Sequence, residues 1–291
     1  MAMGKAAPEG LHIPAGLHLV STPIGAARDI TLRAIDILSG ADVLAAEDTR
    51  TLRHLMEIHG IRLSGRPLIA YHDHNGAAVR PRLIAVLKEG KSVAYASEAG
   101  TPLVADPGYQ LARSAIEEGL PVLAAPGASA VLCALTVSGI ASDRFTFMGF
   151  LPNRSAARKS VLREVREMPS SLIFYESPHR LAASLKDMSD CLGPERNAAV
   201  CRELTKKFEE VTRGTLAELA EIFAERGLKG EIVVVVDRGS VAVVSSQDLE
   251  QALTMALQSQ SVKAAANMVA ERFGLSKRET YQMALKLGLN N

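Results

Sequence analysis

Two pairs of short polar clusters stand where an apolar run gives way to a helix-forming one, and their side chains are of kinds that bind ligands and move protons. The first pair is Ala46-Glu47-Asp48-Thr49-Arg50 and Tyr71-His72-Asp73-His74-Asn75. Glu47, Asp48 and His74 are candidate proton acceptors or relays, and Arg50 is a cation able to steady developing negative charge. Capping explains part of the same pattern without chemistry, because Asp48, Thr49 and Asn75 each suit the free N–H groups at a helix start. The second pair is the loop Ser97-Glu98-Ala99-Gly100-Thr101-Pro102-Leu103-Val104-Ala105-Asp106-Pro107-Gly108 and the turn Pro126-Gly127-Ala128-Ser129-Ala130. Gly100 lets a ligand approach the backbone while Pro102 and Pro107 stiffen the chain on either side. An ordinary loop with Asp106 opening a helix is the plainer alternative.

Further along, Phe174-Tyr175-Glu176-Ser177-Pro178-His179-Arg180 ends one apolar run, and Arg202-Glu203-Leu204-Thr205-Lys206-Lys207-Phe208-Glu209-Glu210 joins two others. Tyr175 and Leu204 offer a wall for a planar ring, and Arg180, Arg202 and Lys206 offer cations for phosphate. Intradomain ion pairs account for the same charges. Arg154, Arg158, Lys159, Arg163 and Arg166 fall near one side of a predicted helix, a stripe that suits a nucleic-acid backbone or simply a solvated face. His72 and His74 share a face in an extended chain, yet no third ligand stands at a supporting spacing, so no metal site is expected. There is no GxGxxG turn, GxxxxGK[ST] loop, GxSxG elbow or HExxH helix, which removes the usual marks of dinucleotide, nucleoside triphosphate, serine-hydrolase and zinc-peptidase chemistry.

The elements that must position these residues alternate between strands and helices, the signature of an α/β chain. Strands are predicted at 17–21, 41–46, 67–71, 91–96 and 120–124, with helices at 31–39, 49–60, 77–89, 109–118 and 128–137. A second alternating block places strands at 144–149, 170–175, 197–202, 208–213 and 231–236, and helices near 155–168, 178–192 and 215–226. The run Ile232-Val233-Val234-Val235-Val236 is apolar throughout and is expected at the centre of its sheet. The divisions that follow are a loose tail over 1–16, an N-terminal α/β domain over 17–140, a second over 141–238, and a helical region over 239–291. In the last, 262–273 and 277–287 form a helix-turn-helix-like pair with Ser276 as cap and Lys277 and Arg278 available to phosphate.

With 291 residues, 47% of them hydrophobic and 22% charged, the chain is long enough for two cored domains and is not of disordered composition. The net charge of +1 supplies no global pull towards nucleic acid or lipid, so an RNA partner needs a local basic surface. Three scattered cysteines without a CxxC pair read as reduced thiols of a cytoplasmic protein. No run approaches the ~18 apolar residues of a membrane span.

The polar clusters, together with the run from Leu17 to Gly25 and Asp29-Ile30-Thr31-Leu32-Arg33-Ala34, closely resemble in order and wording the tetrapyrrole methylase fold family. Within it, the resemblance is to the bacterial enzymes that methylate a cytidine ribose 2'-oxygen in the decoding region of 16S rRNA, and it covers about residues 17–237. It implies an α/β, two-domain tetrapyrrole methylase-like fold with a small C-terminal helical region, S-adenosyl-L-methionine in the cleft between the domains, a homodimer, and the small ribosomal subunit as substrate. Carried over by position, cofactor contacts fall to Pro23, Gly25, Ser97, Glu98, Ala99, Gly100, Thr101, Asp106, Ala128 and Ser129 from the first domain, and Phe150, Leu151, Tyr175, Glu176 and Leu204 from the second. Glu47, Asp48, Arg50, His74 and Lys206 are then the candidate catalytic groups, and Arg154, Arg158, Lys159, Lys277 and Arg278 the candidate RNA contacts. Three positions depart from the family's usual spelling: Ala26 after Gly25, Glu98 for aspartate, and Ala128 where proline is common. A tetrapyrrole methyltransferase acting on a small molecule, and a non-catalytic ribosome-binding module, are the alternatives.

Overall fold

The protein was analysed as a computed structural model that describes residues 12–239, 246–273 and 276–288. Two five-stranded sheets and a C-terminal group of helices make up the described chain. The first sheet contains β1 (Gly16–Val20), β2 (Val43–Ala46), β3 (Leu68–Ala70), β4 (Ser92–Ala96) and β5 (Val122–Ala125) in the order β3-β2-β4-β1-β5. Every pairing in it is parallel. Parallel strands need crossover helices on both faces, which is why β2 and β4 are apolar or small at nearly every position and buried throughout.

The crossovers are α1 (Leu32–Gly40), α2 (Thr49–Ile58), α3 (Gly76–Lys88) and α4 (Tyr109–Glu117). Alternate strand residues feed two cores: Val20, Leu44, Ala94 and Ala96 pack with Leu38, Leu52 and Met56 of α1 and α2. Leu17, Val43, Val93 and Tyr95 pack with Leu83, Leu87 and Leu111 of α3 and α4. Thr31 caps α1 by accepting from Ala34 N at 3.1 Å, and Asp48 caps α2 by accepting from Arg50 N at 2.7 Å and Thr51 N at 3.4 Å. Asn75 does not cap α3; its Oδ1 accepts from His72 N at 2.9 Å and its Nδ2 donates to Ala70 O at 2.9 Å, closing the turn instead. Ile13, placed in the tail by the sequence, is buried in the first core, and residues 1–11 of that tail lie outside the described residues.

The second sheet contains β6 (Phe145–Phe150), β7 (Ser171–Glu176), β8 (Asn197–Arg202), β9 (Glu210–Thr215) and β10 (Ile232–Val236) in the order β6-β7-β10-β8-β9. The all-apolar β10 is its central strand, and apart from the parallel β6–β7 pair its pairings are antiparallel. One face is covered by α6 (Ser155–Glu164), α7 (Leu181–Leu192) and α8 (Leu216–Ala224). The other face packs on α5 (Ala130–Ser138), which follows β5.

Helix α5 reads Ala-Val-Leu-Cys-Ala-Leu-Thr-Val-Ser and has no charged face, in keeping with a place between two layers. Val131, Ala134 and Leu135 meet Ile173, Ala199, Val233 and Val235 in one buried cluster that joins the sheets. Arg213 of β9 donates from Nε to Ser138 O at 3.1 Å, placing a cation on the carboxyl end of α5. In the C-terminal region α9 (Ser246–Leu257), α10 (Val262–Phe273) and α11 (Lys277–Gly288) enclose Leu253, Ala265, Ala266, Val269 and Ala284. Among the described residues no helix is long and apolar enough to cross a membrane.

Candidate functional site

The carboxyl ends of β1, β2, β4 and β5 face the ends of β6 and β7 and the start of β10 across a cleft that contains a cavity of about 500 Å³. That is within the usual size range of small-molecule sites, and ligands of open α/β sheets gather at these strand ends. The two sides of the cleft are built differently.

On the first-sheet side the chain leaves β4 through Ser97, whose buried Oγ donates to Gly100 O at 2.5 Å. Thr22 and Gly100 exchange backbone hydrogen bonds at 3.0 and 3.1 Å, tying the β1 loop to the β4 loop. Gly100 has φ +82°, and a Cβ there would stand 3.1 Å from Ile24 Cγ2, so glycine is needed for both conformation and space. Leu103 and Ala105 hold φ of +71° and +56°, a strained backbone for residues with side chains. Asp106 holds the loop in that shape: its Oδ1 accepts from Tyr95 Oη at 2.9 Å, Gly108 N at 2.8 Å and Leu103 N at 3.3 Å. Its other oxygen, Oδ2, is buried without a hydrogen-bond partner. Glu47 and Glu98 complete this side, and neither they nor Asp106 forms an ion pair among the described residues. Burial raises the Glu47 carboxyl above the ordinary range, and the neighbouring charges of Asp106, Glu98 and Asp73 raise it further.

On the second-sheet side Phe150 is 58% exposed at the cavity edge, and its ring centroid lies 5.5 Å from that of Tyr175, which in turn contacts Phe147 at 4.8 Å. The carboxylates here are matched. Buried Glu176 accepts from Ser177 N at 2.8 Å and Ser184 Oγ at 2.5 Å, and Arg180 Nε lies 2.9 Å from its Oε1. Glu231 pairs with Lys206 at 2.6 Å, and the same ammonium reaches Glu203 at 2.9 Å.

Residues 16–220 match the family model of the Tetrapyrrole (Corrin/Porphyrin) Methylases, and residues 243–288 match the RsmI C-terminal HTH domain. The Ribosomal RNA small subunit methyltransferase I of Mesorhizobium japonicum is 47% identical over 272 residues, covering 93% of this chain and 92% of its own. That of Vibrio cholerae is 41% identical over 292 residues, covering 98% and 99%. The chain belongs to the ribosomal RNA small subunit methyltransferase I family. Members of this family are S-adenosylmethionine-dependent methyltransferases of tetrapyrrole methylase fold, and this chain is one of them. Solved structures agree on the fold: diphthine synthase superposes with a TM-score of 0.59 at 18% identity over 76% of this chain and 89% of its own. A uroporphyrin-III C-methyltransferase from Thermus thermophilus complexed with S-adenyl homocysteine gives 0.53 at 19% identity, over 76% and 96%.

The cleft fits the family's cofactor: it is large enough, carries an aromatic edge for a purine, lacks a Cβ at Gly100, and has unpaired carboxylates for a ligand bearing ammonium and sulfonium charge. Of the expected contacts, Glu98, Ala99, Gly100, Thr101, Asp106, Ser129, Phe150, Tyr175 and Glu176 line the cavity, as does Glu47 from the catalytic set. Ser97 and Ala128 stand behind the lining, Ala128 O accepting from Thr101 Oγ1 at 2.9 Å, and Pro23 precedes the lining residue Ile24.

Other placements correct the sequence reading. Gly25 packs on the 204–206 turn, where a Cβ would meet Lys206 Cγ and stand 2.7 Å from Thr205 Oγ1, and Ala26 N donates to Thr205 Oγ1 at 3.1 Å. Gly25 therefore joins the two halves rather than lining the cavity, and Leu204 is buried in the shared cluster beside it. Leu151 is buried in the second-sheet core because only Phe150 of that pair turns outward. Lys206 is held by two carboxylates, and Asp48 is spent on the α2 cap and an ion pair with Arg50 at 2.9 Å. His74 is exposed on the turn after β3, its ring 5.9 Å from that of His72, and no metal-binding cluster exists among the described residues.

The basic stripe is not one surface. Arg158 is buried, with Nη2 2.6 Å from Asp187 Oδ2, and Lys159 spans Asp187 at 3.3 Å and Asp190 at 2.8 Å. A charge of this kind is buried only when paired, and α7 supplies the partners. Arg154 precedes α6 in the open, and Lys277 and Arg278 are exposed at the start of α11. The lining residues that sequence reading missed are chiefly Gly230, Glu231, Ile232 and Val233: the last two belong to a strand so apolar that it reads as core over its whole length, and no motif marks the two before it. Ser177 and Pro178, also lining, lie inside the 174–180 cluster, where the aromatic and charged neighbours carry the stronger chemical signal.

Proposed function

We propose that the protein transfers a methyl group from S-adenosyl-L-methionine to the ribose 2'-oxygen of a cytidine in the decoding region of 16S rRNA, with the assembled small ribosomal subunit as substrate. The observation that carries this reading is full-length similarity, helical C-terminal region included, to relatives named ribosomal RNA small subunit methyltransferase I, joined to a cleft whose lining suits the cofactor. In this reading the cofactor lies between an N-terminal domain of residues 17–140 and a second of 141–238, region 239–291 contacts the subunit, and the enzyme works as a cytoplasmic homodimer.

When bound, the cofactor supplies a methyl group made electrophilic by its positive sulfur. The chain's task is to hold the reactants in line, exclude water and take the hydroxyl proton. Glu47 is the proton acceptor: it lines the cavity, and its raised basicity makes it a better base than an ordinary carboxylate. Asp48 is a poor one, since its hydrogen bonds with Arg50 lower its pKa to about 2. Asp48 instead holds Arg50, whose exposed guanidinium steadies the RNA backbone, and His74, exposed on the turn after β3, passes the proton on to solvent. Lys206 is a positioning residue that fixes Glu231 and the start of β10. RNA contacts come from Arg154, Lys277 and Arg278, while Arg158 and Lys159 hold α6 on α7.

The test is transfer of labelled methyl from S-adenosylmethionine to small subunits lacking the modification, with the product nucleotide mapped by mass spectrometry. Incorporation at a cytidine 2'-oxygen is expected. Incorporation at a base atom, or none into subunits despite cofactor binding, overturns the assignment.

A further inference from the structure

The cavity carries an unbalanced charge. Its lining includes five carboxylates, Glu47, Glu98, Asp106, Glu176 and Glu231, and no lysine, arginine or histidine. Glu176 is paired with Arg180, and Glu231 with Lys206, whose ammonium it shares with Glu203. Glu47, Glu98 and Asp106 have no such partner, and all three stand on the first-sheet side. Within this wall Asp106 Oδ2 is buried without a hydrogen-bond partner among the described residues, which leaves it open to a ligand, and the Tyr95 phenol beside it is pushed up by burial first and then by the charges of Asp106 and Glu47.

We propose that this unneutralised acidic wall makes the site select the positively charged methyl donor over its uncharged product, so that methyl transfer itself weakens the hold on the spent cofactor. The inference rests on the cofactor reading of the cleft. Transfer forms an O–CH₃ bond and breaks an S–CH₃ bond. The electron pair of the broken bond stays on sulfur as a neutral thioether, and the hydroxyl proton leaves on a base. The ammonium, carboxylate and adenosine groups are common to donor and product, so the net difference between them is one positive charge at sulfur.

The preference for the cation holds wherever in the cavity the sulfur lies. A sphere of about 500 Å³ is roughly 10 Å across, so every point in it is within about one Debye length of the acidic wall. At an effective dielectric of ~20, one unit charge at ~8 Å shifts an equilibrium by about tenfold or more.

Calorimetry on the full chain with S-adenosylmethionine, S-adenosylhomocysteine and sinefungin, which has an amine-bearing carbon in place of the sulfonium, tests this without relying on turnover. The expected order puts S-adenosylmethionine and sinefungin each about tenfold or more tighter than S-adenosylhomocysteine. In the double variant Glu47→Gln with Glu98→Gln, which leaves Asp106 in place, the ratio is expected to fall by about tenfold or more from its wild-type value, through weaker binding of the two cations and with the product little changed. Product binding as tight as the donor's, or a ratio unmoved in the double variant, overturns the proposal while leaving the cofactor reading intact. Absence of binding by all three ligands overturns both. The wild-type comparison of sinefungin with S-adenosylhomocysteine needs no variant, so a misfolded mutant does not shield the proposal.

Discussion

The two sides of the cleft hold similar numbers of carboxylates and treat them in opposite ways. On the second-sheet side each acid is tied to a cation of its own unit: Glu176 to Arg180, Glu231 to Lys206. On the first-sheet side Glu47, Glu98 and Asp106 are left without ion pairs among the described residues, Glu47 at the end of β2 and the other two on a loop whose Leu103 and Ala105 occupy the left-handed region. Charge that is matched inside the fold contributes to a stable frame, whereas charge left unmatched beside a cavity is available to a ligand. On the proposed function, the second side lends the cleft a rigid aromatic wall, and the first lends it the charge that acts on the bound cofactor.

It follows that the same class of substitution, removal of one charge, must act on different observables on the two sides. The largest effect is expected for Arg180→Met, which leaves the fully buried Glu176 side chain without its cation and also loses the guanidinium's bond to Leu151 O at 2.7 Å. Breaking a buried pair from one end costs about 3–5 kcal/mol, to be read as a shift of the urea midpoint at unchanged slope. A shift under about 1 kcal/mol would show that Glu176 is not a frame group. The double substitution Arg180→Met with Glu176→Gln should recover part of the loss, since no charge is then stranded.

Next in size is Glu47→Gln. Loss of the proton acceptor should lower the single-turnover rate by about 10²-fold at saturating cofactor, with a small effect on unfolding. The pH dependence carries a sign. A raised carboxyl pKa means the base is lost to protonation at a higher pH than an ordinary glutamate, so the wild-type rate should fall with acid earlier than the ordinary value of 4.5 predicts. The stability sign is the opposite of the usual carboxylate case: the folded state favours protonated Glu47, so this stabilisation is present at low pH and is lost as pH rises through the raised pKa. A variant that keeps the wild-type rate would move the base to another group.

A smaller effect tests the seam between the halves. Gly25→Ala puts a methyl group against Lys206 Cγ, Thr205 Oγ1 at 2.7 Å and Leu204 O at 3.2 Å. Because a lysine stem can move and a backbone carbonyl cannot, the expected cost is about 1–3 kcal/mol, with cofactor affinity reduced only through the displaced 204–206 turn. An affinity loss at unchanged stability would return Gly25 to the cofactor contacts.

Much of this was legible in the sequence, and for a physical reason. Switches from an apolar run to a polar cluster mark strand ends, and in a parallel sheet the carboxyl ends lie on one side, so Glu47, Glu98, Gly100 and Asp106 were bound to come together. Charge partnership was not legible. Arg158 falls on a helical stripe with Lys159, but a stripe does not say which side faces the core, and its partner Asp187 is 29 residues away on α7. Lys206 is likewise committed to Glu231, 25 residues on, where no motif marks the position. The place of α5 between the sheets does have a signal in the sequence, since Ala130–Ser138 has no charged face for solvent.

The smallest predicted effect separates two neighbours, Glu47 and Asp48, that the sequence offers as equivalents. Asp48 is held at a pKa of about 2, below its ordinary 3.8, first by the Arg50 side chain and then by the backbone N–H of Arg50. A depressed carboxyl pKa gives stabilisation that is full above 3.8 and is lost as pH falls through about 2. Asp48→Asn keeps a side-chain oxygen for the α2 cap and removes only the charge. It should therefore lower the melting temperature slightly at neutral pH, and the difference from wild type should close as pH falls from 3.8 towards 2. Its single-turnover rate should stay within about threefold of wild type, against about 10² for Glu47→Gln. Equal losses at the two positions would mean that Arg50, released from its partner, matters to the reaction as much as the base does, and the contrast would then lie between Arg50 and the second-sheet side.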